Sequence, residues 1–289
     1  MNKVYKYSLD KSSKKFLCPC CHKKTFVKFV DNETNYYLND IDGRCDRESK
    51  CGYFKKPHNN NVSKPTNNNS ISVIQPTYHH NNIVSQFSNT LKNSNFIIYL
   101  MSVFDKNSVL EAIKRYNIGI TNYWNGATVF WQIDIKNRIR GGKIMLYNSH
   151  TGQRIKKPFN HISWIHKQLK IDDFKLSQCL YGLHNIANLL KGETICIVES
   201  EKTAIIMSIV MPSFLWMATG SKAGFKESML QPVKAHHIIA YPDKTEFEAW
   251  SVTAQSLNKN GFSIQCSGFL EKIDVEIGGD LVDYLMENI

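Results

Sequence analysis

No run of apolar residues in this 289-residue chain approaches the roughly 18 that a membrane-spanning helix needs. The sequence therefore offers no membrane span. The basic opening Met1-Asn2-Lys3-Val4-Tyr5-Lys6 has no apolar segment behind it, so no secretory signal is expected and the chain reads as cytoplasmic. No internal repeat is visible, which sets aside a repeat array. Acids are scarce beside bases: 25 Asp and Glu face 36 Lys and Arg, a net charge of +11. That surplus favours a polyanionic partner such as nucleic acid. What is present argues for a folded protein, because 42% hydrophobic and 11% aromatic residues exceed what a wholly disordered chain carries. The length allows one or two domains with a buried core.

Cysteine is unevenly spread. Five of the eight lie within the first 51 residues (Cys18, Cys20, Cys21, Cys45 and Cys51), and Cys179, Cys196 and Cys266 are scattered singly. In a reducing compartment a terminal cluster reads as a metal site, and isolated cysteines read as small core residues. Cys18-Pro19-Cys20-Cys21 supplies a Cys-x2-Cys pair, and Cys45 through Cys51 supplies Cys-x5-Cys. Two such knuckles close a tetrahedron of thiolates around a structural Zn2+. Cys18, Cys21, Cys45 and Cys51 are the expected ligands. Cys20 is the spare, because adjacent cysteines rarely share one ion, and His22 is a weaker rival to Cys21. Residues 26–30 and 35–38 read as strands of a small ribbon. Lys14, Lys15, Lys23, Lys24, Arg44 and Arg47 decorate it, which suits contact with phosphates.

Four segments follow from the patterning: a zinc ribbon at 1–56, a flexible linker at 57–82, a helical and basic subdomain at 83–192, and an α/β domain at 193–289. The linker is rich in Asn and Pro, without an apolar period, and its His79 and His80 read as solvated. Phe96, Leu100, Val103 and Phe104, then Val109, Leu110, Ile113 and Tyr116, recur at helical steps, with Gly119 as a stop. From Thr128 the pattern turns β-like, over 128–133 and 143–147. Around these runs lie Arg138, Arg140, Lys143, Arg154, Lys156 and Lys157, interleaved with Tyr147, Phe159, His161, Trp164 and His166. That mixture suits a groove that neutralises phosphates and stacks bases.

In the last third, strands alternate with amphipathic helices. Thr194–Val198 is an apolar strand followed by Glu199, with Ser200 as a helix cap and Lys202 in the first turn of the helix. His237–Tyr241 repeats the arrangement and reaches Asp243 after Pro242. Open α/β sheets bind ligands at the carboxyl ends of their strands. If these two strands are neighbours, Glu199 and Asp243 meet there, and a divalent cation or a shared proton would relieve their repulsion.

These motifs resemble the toprim domain of bacterial-type DNA primases: Glu199 before its helix, Ala218-Thr219-Gly220-Ser221-Lys222-Ala223-Gly224, and the Pro242-Asp243 strand end. Upstream, Arg140-Gly141-Gly142-Lys143, Lys156-Lys157-Pro158 and Leu180-Tyr181-Gly182-Leu183-His184 stand in the order of the primase catalytic core, and a zinc ribbon precedes that core in primases too. The resemblance is closest to primase-like proteins of mobile elements. It implies an α/β fold: an N-terminal zinc β-ribbon, an α+β basic subdomain, and a toprim-like domain with a mainly parallel sheet. It also implies a function in DNA replication or mobile-element transfer, with single-stranded DNA and a helicase or other replication proteins as partners. In that family a glutamate assists proton transfer and an Asp-x-Asp pair holds Mg2+ or Mn2+ for nucleotidyl transfer. Glu199 matches the glutamate and Asp243 the first aspartate. Thr245 stands in the second aspartate's place, with Glu246 one step later and Lys244 between. Asp280 and Asp283 are further candidates for the metal, and Lys202 and Lys222 for attracting a phosphate. Two other readings remain beside the primase-like one: a non-catalytic DNA-binding protein with a degenerate toprim domain, and a toprim-type nuclease.

Overall fold

The computed structural model describes residues 6–57 (apart from 11, 13 and 35), 75–88 and 94–287. Most of the expected linker, residues 58–74, lies outside them. The chain divides into two compact units, Met1–Ser72 and Val73–Ile289.

The first unit is a small antiparallel sheet. Its strands are β1 (Tyr7–Leu9), β2 (Phe16–Leu17), β3 (Lys24–Asp31), β4 (Gly43–Cys45) and β5 (Phe54–Lys55). They run in the order β1-β3-β4-β5, with β2 also paired to β3. A single helical turn, α1 (Glu48–Cys51), follows β4. The strand expected at 35–38 is reduced to one bridge, Tyr37 to Val30. The Asp31 carboxylate accepts the amides of Glu33 and Thr34 at 2.8 and 3.2 Å, which bends the chain out of the sheet. The core consists of Phe26, Cys18 and Cys45, with Phe16, Tyr53, Cys21 and Cys51 packed against them. So few apolar side chains need a staple to hold a fold.

In the second unit, the described residues of the long helical stretch expected from the periodicity form three helices: α2 (Ile83–Gln86), α3 (Asn95–Val103) and α4 (Lys106–Arg115). The step from α3 to α4 has a local cause. Ser94 caps α3 and Asp105 caps α4 through the amide of Ser108 at 2.9 Å, so each helix begins on its own capping side chain. An antiparallel sheet follows, ordered β6 (Gly119–Thr121), β7 (Ala127–Ile133), β8 (Ile139–Met145) and β9 (Ile162–Trp164), with α5 (Ile165–Gln168) behind it. The Arg140-Gly141-Gly142-Lys143 motif lies in β8. Trp131 pairs with Gly142 across the ladder, and a Cβ on Gly142 would sit 2.7 Å from the indole ring and from Ile165. The glycine is there so that Trp131 can lie on the strand.

The C-terminal part alternates strand and helix: β10 (Thr194–Val198), α6 (Glu201–Val210), β11 (Leu215–Ala218), α7 (Glu227–Leu230), β12 (His237–Ala240), α8 (Phe247–Lys259), β13 (Ser263–Cys266) and α9 (Leu281–Glu287). Its four strands are all parallel and ordered β11-β10-β12-β13. This is the mainly parallel sheet expected for 193–289. Period-two alternation in β10 sends Cys196 and Val198 into the core that contains α6, and Ile195 and Ile197 into the core that contains α8. The first of these cores also takes Phe130, Met145, Tyr147 and Tyr116, so the two sheets share it.

The Leu180-Tyr181-Gly182-Leu183-His184 motif joins the sheets. Tyr181 exchanges both backbone hydrogen bonds with Ala218, at 2.8 and 3.1 Å. Gly182 has φ +83°, and a Cβ there would meet the Tyr116 ring at 2.9 Å and the Trp216 carbonyl at 3.1 Å. That Trp216 carbonyl accepts the Tyr116 hydroxyl at 2.7 Å. His79, expected to be solvated, is buried: its amide donates to the Ile139 carbonyl at 2.9 Å and its ring stacks on Phe174. Among the described residues no helix is long and apolar enough to cross a membrane.

Candidate active site and metal centre

The metal centre is built by the ribbon's turns. The chain folds back after Cys18, whose amide donates to the Lys23 carbonyl at 2.9 Å, and this brings Cys21 beside Cys18. Cys45 ends β4, and one turn of α1 returns Cys51. The Sγ atoms of Cys18 and Cys51 are 3.6 Å apart, and those of Cys21 and Cys45 are 3.9 Å apart. A tetrahedron with Zn–S of about 2.3 Å has edges of about 3.8 Å, so the thiolates fit one Zn2+. Among the described residues these four cysteines are the one set of three or more His, Cys, Asp or Glu side chains placed to share an ion. Cys20 is exposed and directs its thiol to the Cys51 carbonyl. His22 also lies outside the set.

The acidic site arises from topology. From β10 the chain moves out to β11, then passes back over β10 to β12 and on to β13. Neighbouring strands whose connections leave in opposite directions open a crevice at their carboxyl ends. Glu199 follows β10 and Asp243 follows β12, so both stand at the crevice between those strands. Burial, reinforced by Glu246, pushes the Glu199 carboxyl upward, while the Lys222 backbone N–H and the Lys143 and Lys222 charges favour its ionised form. Burial likewise raises Asp243 to about 9, reinforced by Glu199, Asp280, Asp283 and Glu246. The two candidate carboxylates are therefore electrostatic neighbours, and Glu246 joins them.

Glu246 reaches the site through an unusual turn. Thr245 has φ +79°, a conformation costly for a β-branched residue. Its amide donates to the Glu271 carboxylate at 2.7 Å, and the Lys244 amide donates to the Gly279 carbonyl at 2.9 Å. The Glu246 amide closes the turn on the Asp243 carbonyl at 2.9 Å. Lys244 directs its ammonium to the Ile273 carbonyl at 2.8 Å. Glu246 pairs with Lys222, on the loop after β11.

Asp280 and Asp283 have a local task. Asp280 Oδ1 accepts the Asp283 amide at 3.1 Å, and Asp283 Oδ2 accepts the Asp280 amide at 3.0 Å. This reciprocal pair caps α9. Thr203 of α6 also donates to Asp280, tying that cap to the helix that follows Glu199. Beside it opens a cleft of about 830 Å³ lined by Tyr99, Tyr147, Arg154, Lys156, Lys202 and Asp280, among others. Its lining carries both cations and acids.

The basic residues divide into two kinds. Lys156 and Lys157 are exposed, and Lys202 is half-buried at the cleft. Arg138 and Arg140 both donate to Asp134 Oδ2, each Nε at 2.9 Å, and the Arg138 guanidinium lies 4.4 Å from the centre of the Tyr78 ring. Lys143 is only 8% exposed. Its ammonium donates to both Glu201 oxygens at 3.0 and 3.1 Å and to the Gly220 carbonyl at 2.8 Å. It is thus a tie from β8 to the first residue of α6 and the loop after β11. Among the expected stacking aromatics, Tyr147 and His161 are buried and Phe159 is 54% exposed. Sequence reading did not find Asp134 or Glu201. The Asp134–Arg138 spacing was visible, but Glu201 stands two residues from Glu199 and nothing in the sequence marks it as Lys143's partner.

A family model described as a domain of unknown function, DUF6371, matches residues 94–244, just over half of the chain. The chain belongs to the DUF6371 family. Residues 5–66, N-terminal to the DUF6371 match, fit a model of a zinc beta-ribbon finger, in agreement with the four-cysteine set. No curated protein matches the chain. Solved structures similar to this family member include the DnaG catalytic core, with a TM-score of 0.48 and 13% identity over 72% of this chain and 74% of that one. The DnaG primase catalytic domain bound to ssDNA gives 0.47 and 15% over 71% and 72%. The Aquifex aeolicus primase, with its zinc-binding and RNA polymerase domains, gives 0.47 and 11% over 98% and 77%.

Proposed function

We propose that the chain is a primase-like DNA-binding protein that promotes divalent-metal-dependent nucleotidyl transfer on single-stranded DNA. The observation that carries this reading is the meeting of Glu199 and Asp243 at the crevice between two parallel strands. Carboxylate oxygens suit hard cations. With Glu246, they are the residues that would hold Mg2+ or Mn2+, which supplies charge neutralisation for a phosphoryl group when bound. Glu199, half-buried and with its proton affinity raised, is suited to exchanging a proton with a hydroxyl. Lys202, Arg154 and Lys156 at the adjoining cleft suit phosphate. The zinc ribbon and the exposed Lys156 and Lys157 support a role in holding a single strand. A task in DNA replication or mobile-element transfer, beside a helicase or related proteins, belongs to the same reading.

A second reading, a non-catalytic DNA-binding scaffold, is favoured by one feature. Thr245 replaces a carboxylate, and Glu246 is already paired with Lys222. A priming assay with NTPs, Mg2+ or Mn2+ and a single-stranded template separates them. Primer synthesis that is lost in Glu199→Gln and in Asp243→Asn is the expected result. Binding without turnover under either ion would establish the scaffold, and strand scission a nuclease.

A further inference from the structure

The Lys222–Glu246 ion pair stands where the acidic site departs from an Asp-x-Asp arrangement. From it we infer that Glu246 is the second acid of the cation site and that Lys222 is a built-in cation which a divalent ion displaces. The inference rests on the proposed divalent-ion reading of Glu199 and Asp243.

Three features converge on it. Lys222 bears on two of the acids at once: its charge favours the ionised form of Glu199, and its ammonium pairs with Glu246. A single cation therefore stands near both carboxylates at the crevice. The turn that carries Glu246 is held from outside, by Glu271 on the Thr245 amide and by the Gly279 carbonyl on the Lys244 amide. The backbone of the turn is thus set without Lys222. Finally, the Lys222 side chain is 53% exposed while that of Glu246 is 18% exposed. The cation is the partner that can leave toward solvent, and the carboxylate is the one that stays.

The donors present, Glu199, Asp243 and Glu246, offer only oxygen and suit Mg2+ or Mn2+. In the absence of such an ion, the Lys222 ammonium is the cation that pairs with Glu246. Entry of a divalent cation takes Glu246 from Lys222 and leaves the ammonium free at the mouth of the crevice. There it can meet a phosphate, so metal and phosphate binding reinforce each other.

Mn2+ titration of the zinc-loaded full chain without nucleic acid, followed by the electron paramagnetic resonance of free Mn2+, tests this. Lys222→Met should bind Mn2+ roughly tenfold more tightly than the parent, because a unit positive charge no longer opposes a divalent one at short range. Lys222→Arg, which keeps the charge, should match the parent. Adding Glu246→Gln to Lys222→Met should remove the gain, with thermal melts showing each variant folded. Equal affinity in Lys222→Met and the parent, with binding abolished by Asp243→Asn, overturns the role of Lys222 and leaves the proposed function standing. A gain that survives Glu246→Gln overturns the role of Glu246. No Mn2+ binding in any variant overturns both the inference and the metal-dependent reading.

Discussion

Lys143 was expected from sequence to touch nucleic-acid phosphates, and its surroundings give it another task that stability measurements can check. Lys143→Met keeps most of the side chain's length and apolar volume but removes the ammonium. It leaves the Glu201 carboxylate, 1% exposed, and the Gly220 carbonyl without their donor. Removing one partner of a buried ion pair typically costs about 3–5 kcal/mol, because the other charge stays buried and unpaired. A unit of this size shifts its Tm by roughly 2–4 °C per kcal/mol, so the variant should melt about 10 °C below the parent. Glu201→Met alone should also destabilise, by leaving the buried ammonium without its carboxylate. The double variant Lys143→Met/Glu201→Met should recover much of the loss, since apolar replacements of similar volume are often neutral. Urea unfolding of the four proteins at constant zinc gives the coupling energy directly. A loss below about 1 kcal/mol in Lys143→Met, or no recovery in the double variant, would refute a buried tie. If DNA binding fell while stability held, Lys143 would be a phosphate contact after all.

Three further outcomes follow from the same geometry. Cys51→Ser should release zinc and unfold the ribbon, since binding and folding of such a unit are coupled; Cys20→Ala should retain one zinc per chain by elemental analysis, and loss of zinc there would change the ligand set. Replacing Lys156 and Lys157 should flatten the slope of log K against log salt by about 0.7 per lost contact on a single strand. Replacing Arg138 and Arg140, whose guanidinium groups are engaged by Asp134, should flatten it less, and the reverse order would place the groove on β8. Asp243, raised from 3.8 to about 9, contributes stability that is complete below its unfolded value and is lost as pH rises through its folded value. In zinc-loaded protein without other divalent ions, Asp243→Asn should therefore gain on the parent as pH rises from 5 to 9, by up to about 1.4 kcal/mol per pH unit. Parallel stability curves for the two proteins would place Asp243 in water.

How far the sequence reaches depends on whether the needed signal is local. The cysteine knuckles, the alternation of β10 and the capping serine at 200 are contained within a few residues, and each is legible as written. The mainly parallel character of the last sheet was also open to reading, because alternating strands and helices admit few other arrangements. Partnerships across the fold were not. Lys143 and Glu201 are 58 residues apart in sequence, and the basic run around Lys143 looks the same whether its charges face solvent or a buried acid. Composition reports charges, while topology decides which of them are already paired. Asp280 and Asp283 show the same division: their spacing suits a metal or a helix cap equally, and the reciprocal bonds to the start of α9 identify a cap.

The acidic site extends that argument to function. Counting residues from Asp243 reaches Thr245 and finds no second carboxylate, which by itself points to a disabled centre. Counting assumes an ordinary backbone between the two positions. Thr245 is left-handed and held by Glu271, and on the inference drawn above this turn brings Glu246 to the role that counting assigns to residue 245. A strained conformation persists only where its surroundings enforce it, and here the 271–279 segment supplies the enforcement on both sides of the turn. Releasing it should therefore move the acid. Thr245→Gly would relax the conformational demand without disturbing Glu246. Glu271→Gln would instead weaken the bond that sets the turn, and should lower Mn2+ affinity in the Lys222→Met background although Glu271 is not itself proposed as a ligand. If Glu271→Gln left that affinity unchanged while Glu246→Gln abolished it, the turn would be held by the backbone contacts to Gly279 alone, and the special conformation of Thr245 would have no part in building the site.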